Sequence, residues 1–256
     1  MRRSIRRLQI LTLAAAVGFG AAYSLNAQTS RSSARTAWVS HTQTNFVVAQ
    51  KRFESEPTNN AAAWEFARAG FDRAEFSTND SERAAIAVQG IDACRKLLAR
   101  DSNSAPGHYY LGMNLGQLAR TKLFGALKIV NEMEREFKAA RSLDQHLHYA
   151  GPDRNLGLLY FEAPTIGSVG SKIKAREHLQ KAAVLAPDYP ENPINLAEAY
   201  LKWQEKKALR SELQAIDKLW PAAKTNFAGA DWAAAWPDWE RRRNRLREKA
   251  TESLNR

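Results

Sequence analysis

The sequence predicts an all-α protein, a solenoid of antiparallel helix pairs with lengthened repeats that is closed by a C-terminal capping helix. Three observations lead there. Alanine fills 43 of the 256 positions, against 13 glycines and 9 prolines, so small residues that favour helix dominate and breakers are few. Apolar residues recur at three- and four-residue steps from about position 60 onward, the period of a packed helix face. A Leu-small dipeptide also returns three times, as Leu111-Gly112, Leu156-Gly157 and Leu196-Ala197. A hydrophobic share of 44% excludes a disordered chain. The single Cys94 excludes an internal disulfide framework.

The first residues carry Arg2, Arg3, Arg6 and Arg7, then an almost unbroken apolar or small run from Leu8 to Ala22. A basic start, a short apolar run and a small residue at Ala27 form a secretory signal peptide over 1–27, cut after Ala27 or after Ala22. The alternative is an uncleaved N-terminal anchor, the sequence's only route to a membrane, although a spanning helix needs about 20 apolar residues. Both place the rest of the chain outside the cytoplasm, periplasmic or secreted. There a lone cysteine has nothing within the chain to mispair with.

Residues 28–58 read as an N-terminal segment, with 28–36 a polar, structureless linker. Trp38 to Val48 is the one stretch with strand-like alternation. The repeat domain is expected over 59–222. Asn60 is the expected N-cap of a helix over 61–76, with Trp64, Ala67 and Phe71 on one face. Ser81 or Asp80 caps the next, whose apolar stripe runs through Ala84, Ala87, Val88, Ile91, Cys94, Leu97 and Leu98. A third starts at Ser102 to Pro106, with proline in the first turn, where its missing N–H is tolerated. Residues 223–256 are an aromatic and basic capping helix.

The Leu-small dipeptides are followed three residues later by Leu115, Tyr160 and Tyr200. Each unit then has a second helix with a large–small–Leu rhythm: Phe137/Ala140/Leu143, Leu179/Ala182/Leu185, and Leu213/Ile216/Leu219. Pro187 and Pro221 close the last two. Trp64/Ala67/Phe71 with Ile91/Cys94/Leu97 makes an earlier, looser unit. A small residue where paired helices cross lets the backbones approach, and no pair buries its apolar face alone, so pairs must stack. Ala175-x3-Leu179-x2-Ala182-x4-Pro187 followed by Leu196-Ala197-x2-Tyr200 resembles the tetratricopeptide repeat (TPR) family. The steps between units, 45 and 40 residues, exceed that family's period of about 34, so helices or turns here are lengthened. Over residues 108–220, carried by Gly151 to Leu201, the chain also resembles the T component of TRAP-type uptake systems. That resemblance implies an extracytoplasmic helical-repeat protein that partners a solute-binding protein and holds an apolar ligand.

The formal net charge of +11 invites a nucleic-acid reading. Four units of it lie in residues 1–27 and four in the basic C-terminal stretch, which leaves 28–239 at +3. Nucleic acid is therefore not an expected partner. The loop Glu162 to Ser171 separates the helices of one pair. Its Gly-Ser-Val-Gly-Ser-Lys172 lacks the spacing of a phosphate-binding loop and no strand precedes it; Ser171 reads as a helix N-cap instead of a hydrolase nucleophile. His41, His108, His146, His148 and His178 complete no metal set and read as helix-end residues near C-terminal dipoles. Cys94 reads as an inert core thiol. Trp232, Trp236 and Trp239 read as a cap over the last repeat, and Glu240 to Lys249 as a solvated basic face.

No catalytic residue, metal or cofactor is expected. The expected activity is non-enzymatic binding of a protein partner along the groove formed by the first helix of each pair. Helical periodicity nominates Tyr109, Tyr110 and Met113 in one unit, Arg154, Asn155, Leu158 and Phe161 in the next, and Asn195, Glu198 and Lys202 in a third. The alternatives are a small apolar ligand in a TRAP-type uptake system, with the 162–171 loop gating a cavity, and an enzyme of unknown class.

Overall fold

The computed structural model describes residues 25–122, 125–229, 232–233 and 235–252, with side chains from Trp38 onward. Ten helices follow one another, and no strand occurs among the described residues. They are α1 (Leu25–Ser55), α2 (Asn60–Glu75), α3 (Asp80–Arg100), α4 (Ala105–Arg120), α5 (Ala126–Leu143), α6 (Leu147–Glu162), α7 (Lys172–Leu185), α8 (Glu191–Lys202), α9 (Lys206–Asn226) and α10 (Ala235–Glu252). The architecture is the all-α helix-pair solenoid read from the sequence. Residues 1–24, which hold most of the expected export segment, lie outside the described residues. No described helix is long and apolar enough to cross a membrane.

Contacts divide the chain into two compact units where one array was expected. The first runs through Asp144 and takes in Ile166–Val169; the second holds Gln145–Thr165 and everything from Gly170 on. In the first unit each of α1 to α5 packs on the next, and α2 also meets α4. In the second, α6 pairs with α7 and α8 with α9, while α10 packs on both α8 and α9.

Local chemistry explains most boundaries. Ser104 accepts from the Gly107 N–H at the start of α4, with Pro106 in its first turn. Ser171 accepts from the Lys174 N–H and caps α7 as expected. Two caps fall earlier than the sequence suggested. Asn59, not Asn60, accepts from Ala61 and Ala62, and Asn79, not Asp80 or Ser81, accepts from Glu82. In both, an extended asparagine already supplies the acceptor, so the following residue enters the helix. The 28–36 segment is helical, not a structureless linker, and so is Trp38 to Val48, both within α1. Nothing there breaks a helix, and Phe46 docks on Phe66 of α2, ring centroids 5.3 Å apart. Val88, expected in the buried stripe of α3, is half exposed, and Ile86 and Gly90 are buried instead. Pro221 lies inside α9 rather than closing a repeat. A proline there costs about 3 kcal/mol, but Trp220, Ala223 and Phe227 on either side stay buried, and each large side chain contributes about 1.5–3 kcal/mol.

The helices cross where a side chain is missing. A methyl group on Gly112 of α4 would stand 2.6 Å from the Phe137 ring of α5; one on Gly157 of α6 would stand 2.7 Å from Leu179 Cγ and 3.0 Å from the Leu179 backbone nitrogen of α7. Gly90 of α3 faces Asn114 of α4 in the same way. Asn114 is fully buried and donates to the carbonyls of Ala67 (2.9 Å) and Tyr110 (2.8 Å). It thereby joins α4 to α2.

One charged pair also ties the first unit together. His108 Nδ1 lies 2.6 Å from Glu136 and Nε2 lies 3.0 Å from the Ser102 carbonyl. The carbonyl can only accept, so both ring nitrogens find acceptors, which favours the imidazolium. The bond to Glu136 is the main cause that lifts His108 above its ordinary value. Burial alone would raise Glu136, but the bonds from His108 and Arg135 outweigh it and hold that carboxyl low. The stabilisation is fully present between pH 4.5 and 6.5, the ordinary values of the two groups. It is lost upward as His108 deprotonates through its raised value and downward as Glu136 protonates through its lowered one. His108→Ala is therefore expected to destabilise by about 1–3 kcal/mol near pH 6 and by clearly less at pH 9, as read from paired denaturant titrations.

Candidate functional site

The residues nominated in the first unit do not form a surface. Tyr109, Tyr110 and Met113 are buried, with Tyr110 stacked on Trp64 at 6.0 Å and Tyr109 tilted against Phe137 at 6.1 Å. Periodicity placed them beside the crossing glycine correctly, but α2, α3 and α5 surround α4, so flanking positions pack too.

In the second unit the nominated residues divide into a buried set and an accessible set. The buried set is built around the start of α6. Backbone φ is 49° at His148, 58° at Tyr149 and 60° at Ala150, so three consecutive non-glycine residues are left-handed. Each costs about 1–2 kcal/mol relative to the right-handed form. The right-handed part of α6 begins after Ala150, with Pro152 in its first turn. A side-chain clamp holds the turn. Arg154 Nη1 donates to the carbonyls of His148 (3.2 Å) and Tyr149 (3.0 Å) and to Asn192 Oδ1 (3.2 Å). Asn192, in the first turn of α8, donates to the carbonyls of Tyr149 (3.0 Å), of Ala182 in α7 and of Ala186 just after it (both 3.1 Å). The Arg154 guanidinium also lies 5.1 Å from the Tyr189 ring centroid. Arg154 and Asn155 were nominated for a groove, but both are buried. Asn192, which carries much of the clamp, gave no signal in sequence beyond its place before Pro193.

Nearby, His178 of α7 shares a 2.7 Å hydrogen bond with the fully buried Asp153 and stacks on Tyr160 at 5.5 Å. With His108, this overturns the helix-end reading: two of the five histidines hold carboxylates within their units.

The accessible set lies on α6 and α8. Leu158 and Phe161 are half-buried against the second unit's core. Lys202 Nζ stands 4.3 Å above the Phe161 ring and 3.9 Å from Glu162. Burial pushes the Glu162 carboxyl up, Lys202 opposes this, and Glu198 adds to it. Trp203, which the sequence did not single out, meets Phe161 edge-to-face at 5.8 Å. Arg176 and Lys172 lie 5.0 and 5.3 Å from its centroid. Both also bind Glu205, whose carboxyl falls to about 2 under the bond from Arg176 and then that from Lys172.

The third nominated group is occupied from within. Arg242 of α10 donates to both carboxylate oxygens of Glu198 (2.9 and 2.7 Å) and to the buried Asn195. Arg243 and Arg247 both reach Asp217. The basic face of α10, expected to be solvated, thus supplies three ion-paired arginines, because α8 and α9 present carboxylates opposite them. Among the described residues no three side chains could hold a metal ion. The Cys94 thiol is fully buried, and burial raises its pKa far above the ordinary value. The loop after α6 is folded back on that helix. Ser171 N–H donates to the Tyr160 carbonyl and Gly170 N–H to that of Pro164, and a side chain at 170 would strike the Ala163 carbonyl.

Among solved structures, TTC0263, a thermophilic TPR protein of Thermus thermophilus, is similar over 76% of this chain and 95% of its own, with a TM-score of 0.55 and 17% identity. The chain has a TPR-like fold. MamA shows a weaker likeness to this TPR-like chain, with a TM-score of 0.45 and 19% identity over 71% of this chain and 88% of its own. No known family profile matches the sequence, and no curated protein matches it.

If the turn at 148–150 is held left-handed by the clamp, His148→Gly should stabilise the protein by about 0.5–1 kcal/mol. In an ordinary right-handed helix the same change costs about 1 kcal/mol. Arg154→Met, which strips donors from buried carbonyls, should cost about 2–4 kcal/mol. Urea unfolding of the two variants beside the parent separates these outcomes.

Proposed function

We propose that this TPR-like chain is a non-enzymatic protein-interaction scaffold, and that the face made by α6 and α8 in its second unit receives the partner. The observation that carries this reading is the Phe161–Lys202 pair. An aromatic ring packed on the core, yet reachable from outside, has a cation over its face and a second ring, Trp203, beside it. Rigid aromatic anchors next to basic groups are the residues that contribute most at protein interfaces. Leu158, half-buried on the same helix as Phe161, adds apolar contact. The absence of a nucleophile–base pair from the sequence motifs agrees with binding as the activity. The basic start and apolar run of the first 27 residues support a place outside the cytoplasm, periplasmic or secreted.

The experiment is affinity capture with the parent and with a Phe161→Ala/Lys202→Ala variant shown by circular dichroism to be folded. A partner held by the parent should be lost or weakened about tenfold or more in the variant, as removal of one or two anchors implies. Equal retention by the folded variant would remove α6 and α8 from the interface.

A further inference from the structure

The positive charge of the chain's body is concentrated rather than spread. Lys172 to Arg176 holds three basic residues and no acid, and Lys202 to Arg210 holds four with one acid. Together the two runs carry +6, against +3 for the whole of 28–239, so the remainder of that stretch is net acidic. The first run opens α7, and the second closes α8 and opens α9.

The fold brings these runs together at one turn. α8 ends with Gln204 left-handed at φ 61°, while the Gln204 N–H donates to the Leu201 carbonyl (3.1 Å) and the Glu205 N–H to that of Tyr200 (2.9 Å). Trp203 and Glu205, on either side of Gln204, both meet α7. Arg176 binds the two Glu205 oxygens at 2.7 and 2.5 Å, and Lys172 Nζ lies 3.0 Å from one of them. The one acid of the two runs is therefore engaged by two of their seven cations. Lys174, Lys206, Lys207 and Arg210 are exposed. The lysines stand in the first turns of α7 and α9, which hold no acid. That is the end at which a helix favours anions, so the helix ends add to the positive field.

We propose that this basic end of the α6–α8 face receives an acidic segment of the partner protein, whose carboxylates meet the lysines of the α7 and α9 first turns. The proposal rests on the protein-binding reading of the same face and names what the partner brings to it. Charge complementarity selects an anion, and the rings select a protein. Lys202 lies over Phe161, and Lys172 and Arg176 lie over Trp203, so charge and half-buried apolar surface are side by side. A bare polyanion would use the charge alone, whereas a peptide with an apolar side chain among its carboxylates uses both.

The test is fluorescence anisotropy of a labelled glutamate peptide with one central phenylalanine, titrated with the full chain. Binding should saturate with an apparent Kd at or below about 100 μM and weaken as salt rises. Combined Lys174→Glu, Lys206→Glu and Lys207→Glu should weaken it about tenfold or more. The same reversal at Lys51, Lys96 and Lys128, exposed lysines of the first unit, should change it by less than about twofold, because only the position of the charge differs. No saturable binding by the folded parent, or equal weakening by both triple variants, would overturn the proposal. So would binding of phosphatidylglycerol vesicles or of an oligothymidylate without binding of the peptide, in favour of a phosphate-bearing partner. A captured partner that Phe161→Ala/Lys202→Ala loses but the Lys174, Lys206 and Lys207 variant retains would overturn the acidic segment and leave the α6–α8 reading standing. Retention by both variants would remove that reading as well.

Discussion

Two helices of a pair can approach closely only where one of them lacks a side chain, and the packing of both units depends on that restriction. Gly112 receives the Phe137 ring and Gly157 receives Leu179. Ala140, Ala182 and Ala197 are fully buried on the helices around these contacts. With the axes close, the long residues three positions away interdigitate, which is how Leu115 and Tyr160 reach essentially complete burial. Larger residues at the crossings would separate the helices and expose those neighbours. The alanine-rich composition is the chain-wide form of the same restriction.

Close pairs also bury polar groups, and the fold answers with side chains that bridge elements. Asn114 reaches the backbone of α2 from α4. Asn192 binds carbonyls of α6 and α7 from α8, and Arg242 binds α8 from α10. An unpaired carbonyl in these places would cost about 1–3 kcal/mol, so each bridge fixes the element it reaches. In the second unit the bridges also hold a backbone form that three non-glycine residues would otherwise leave. The binding surface proposed above, Phe161 with Lys202, lies on α6 and α8, which Asn192 bridges. Preorganisation of that kind lowers the entropy lost on binding.

Much of the fold was legible in the sequence because its causes are local. The Leu-Gly crossings, the Ser171 cap and the Pro106 first turn depend on residues within a few positions of one another. The site was legible only in part. Periodicity says which residues share a helix face, but not what covers that face. Tyr109 and Tyr110 went into the core because three helices surround α4, and Asn195 and Glu198 were taken by Arg242, more than 40 positions later. The left-handed turn could not be read at all. His-Tyr-Ala has no local preference for that backbone, which exists through Arg154 and the distant Asn192. Leu158, Phe161 and Lys202, which stay at least partly accessible, are where the sequence nomination and the accessible surface coincide.

The restriction at the crossings can be tested within a single helix. Gly112 and Gly116 both lie inside α4, so alanine at either gains about 1 kcal/mol of helix propensity. Their surroundings differ: a methyl at 116 meets only the flexible end of Met133, at 3.2 Å, whereas one at 112 drives into the enclosed Phe137 ring. The measurement is the unfolding free energy of Gly112→Ala and of Gly116→Ala beside the parent. Gly116→Ala should be neutral or stabilising, and Gly112→Ala should lose about 1–3 kcal/mol through overpacking. Equal stabilisation by both substitutions would contradict the claim that close crossing at glycine holds these helix pairs together.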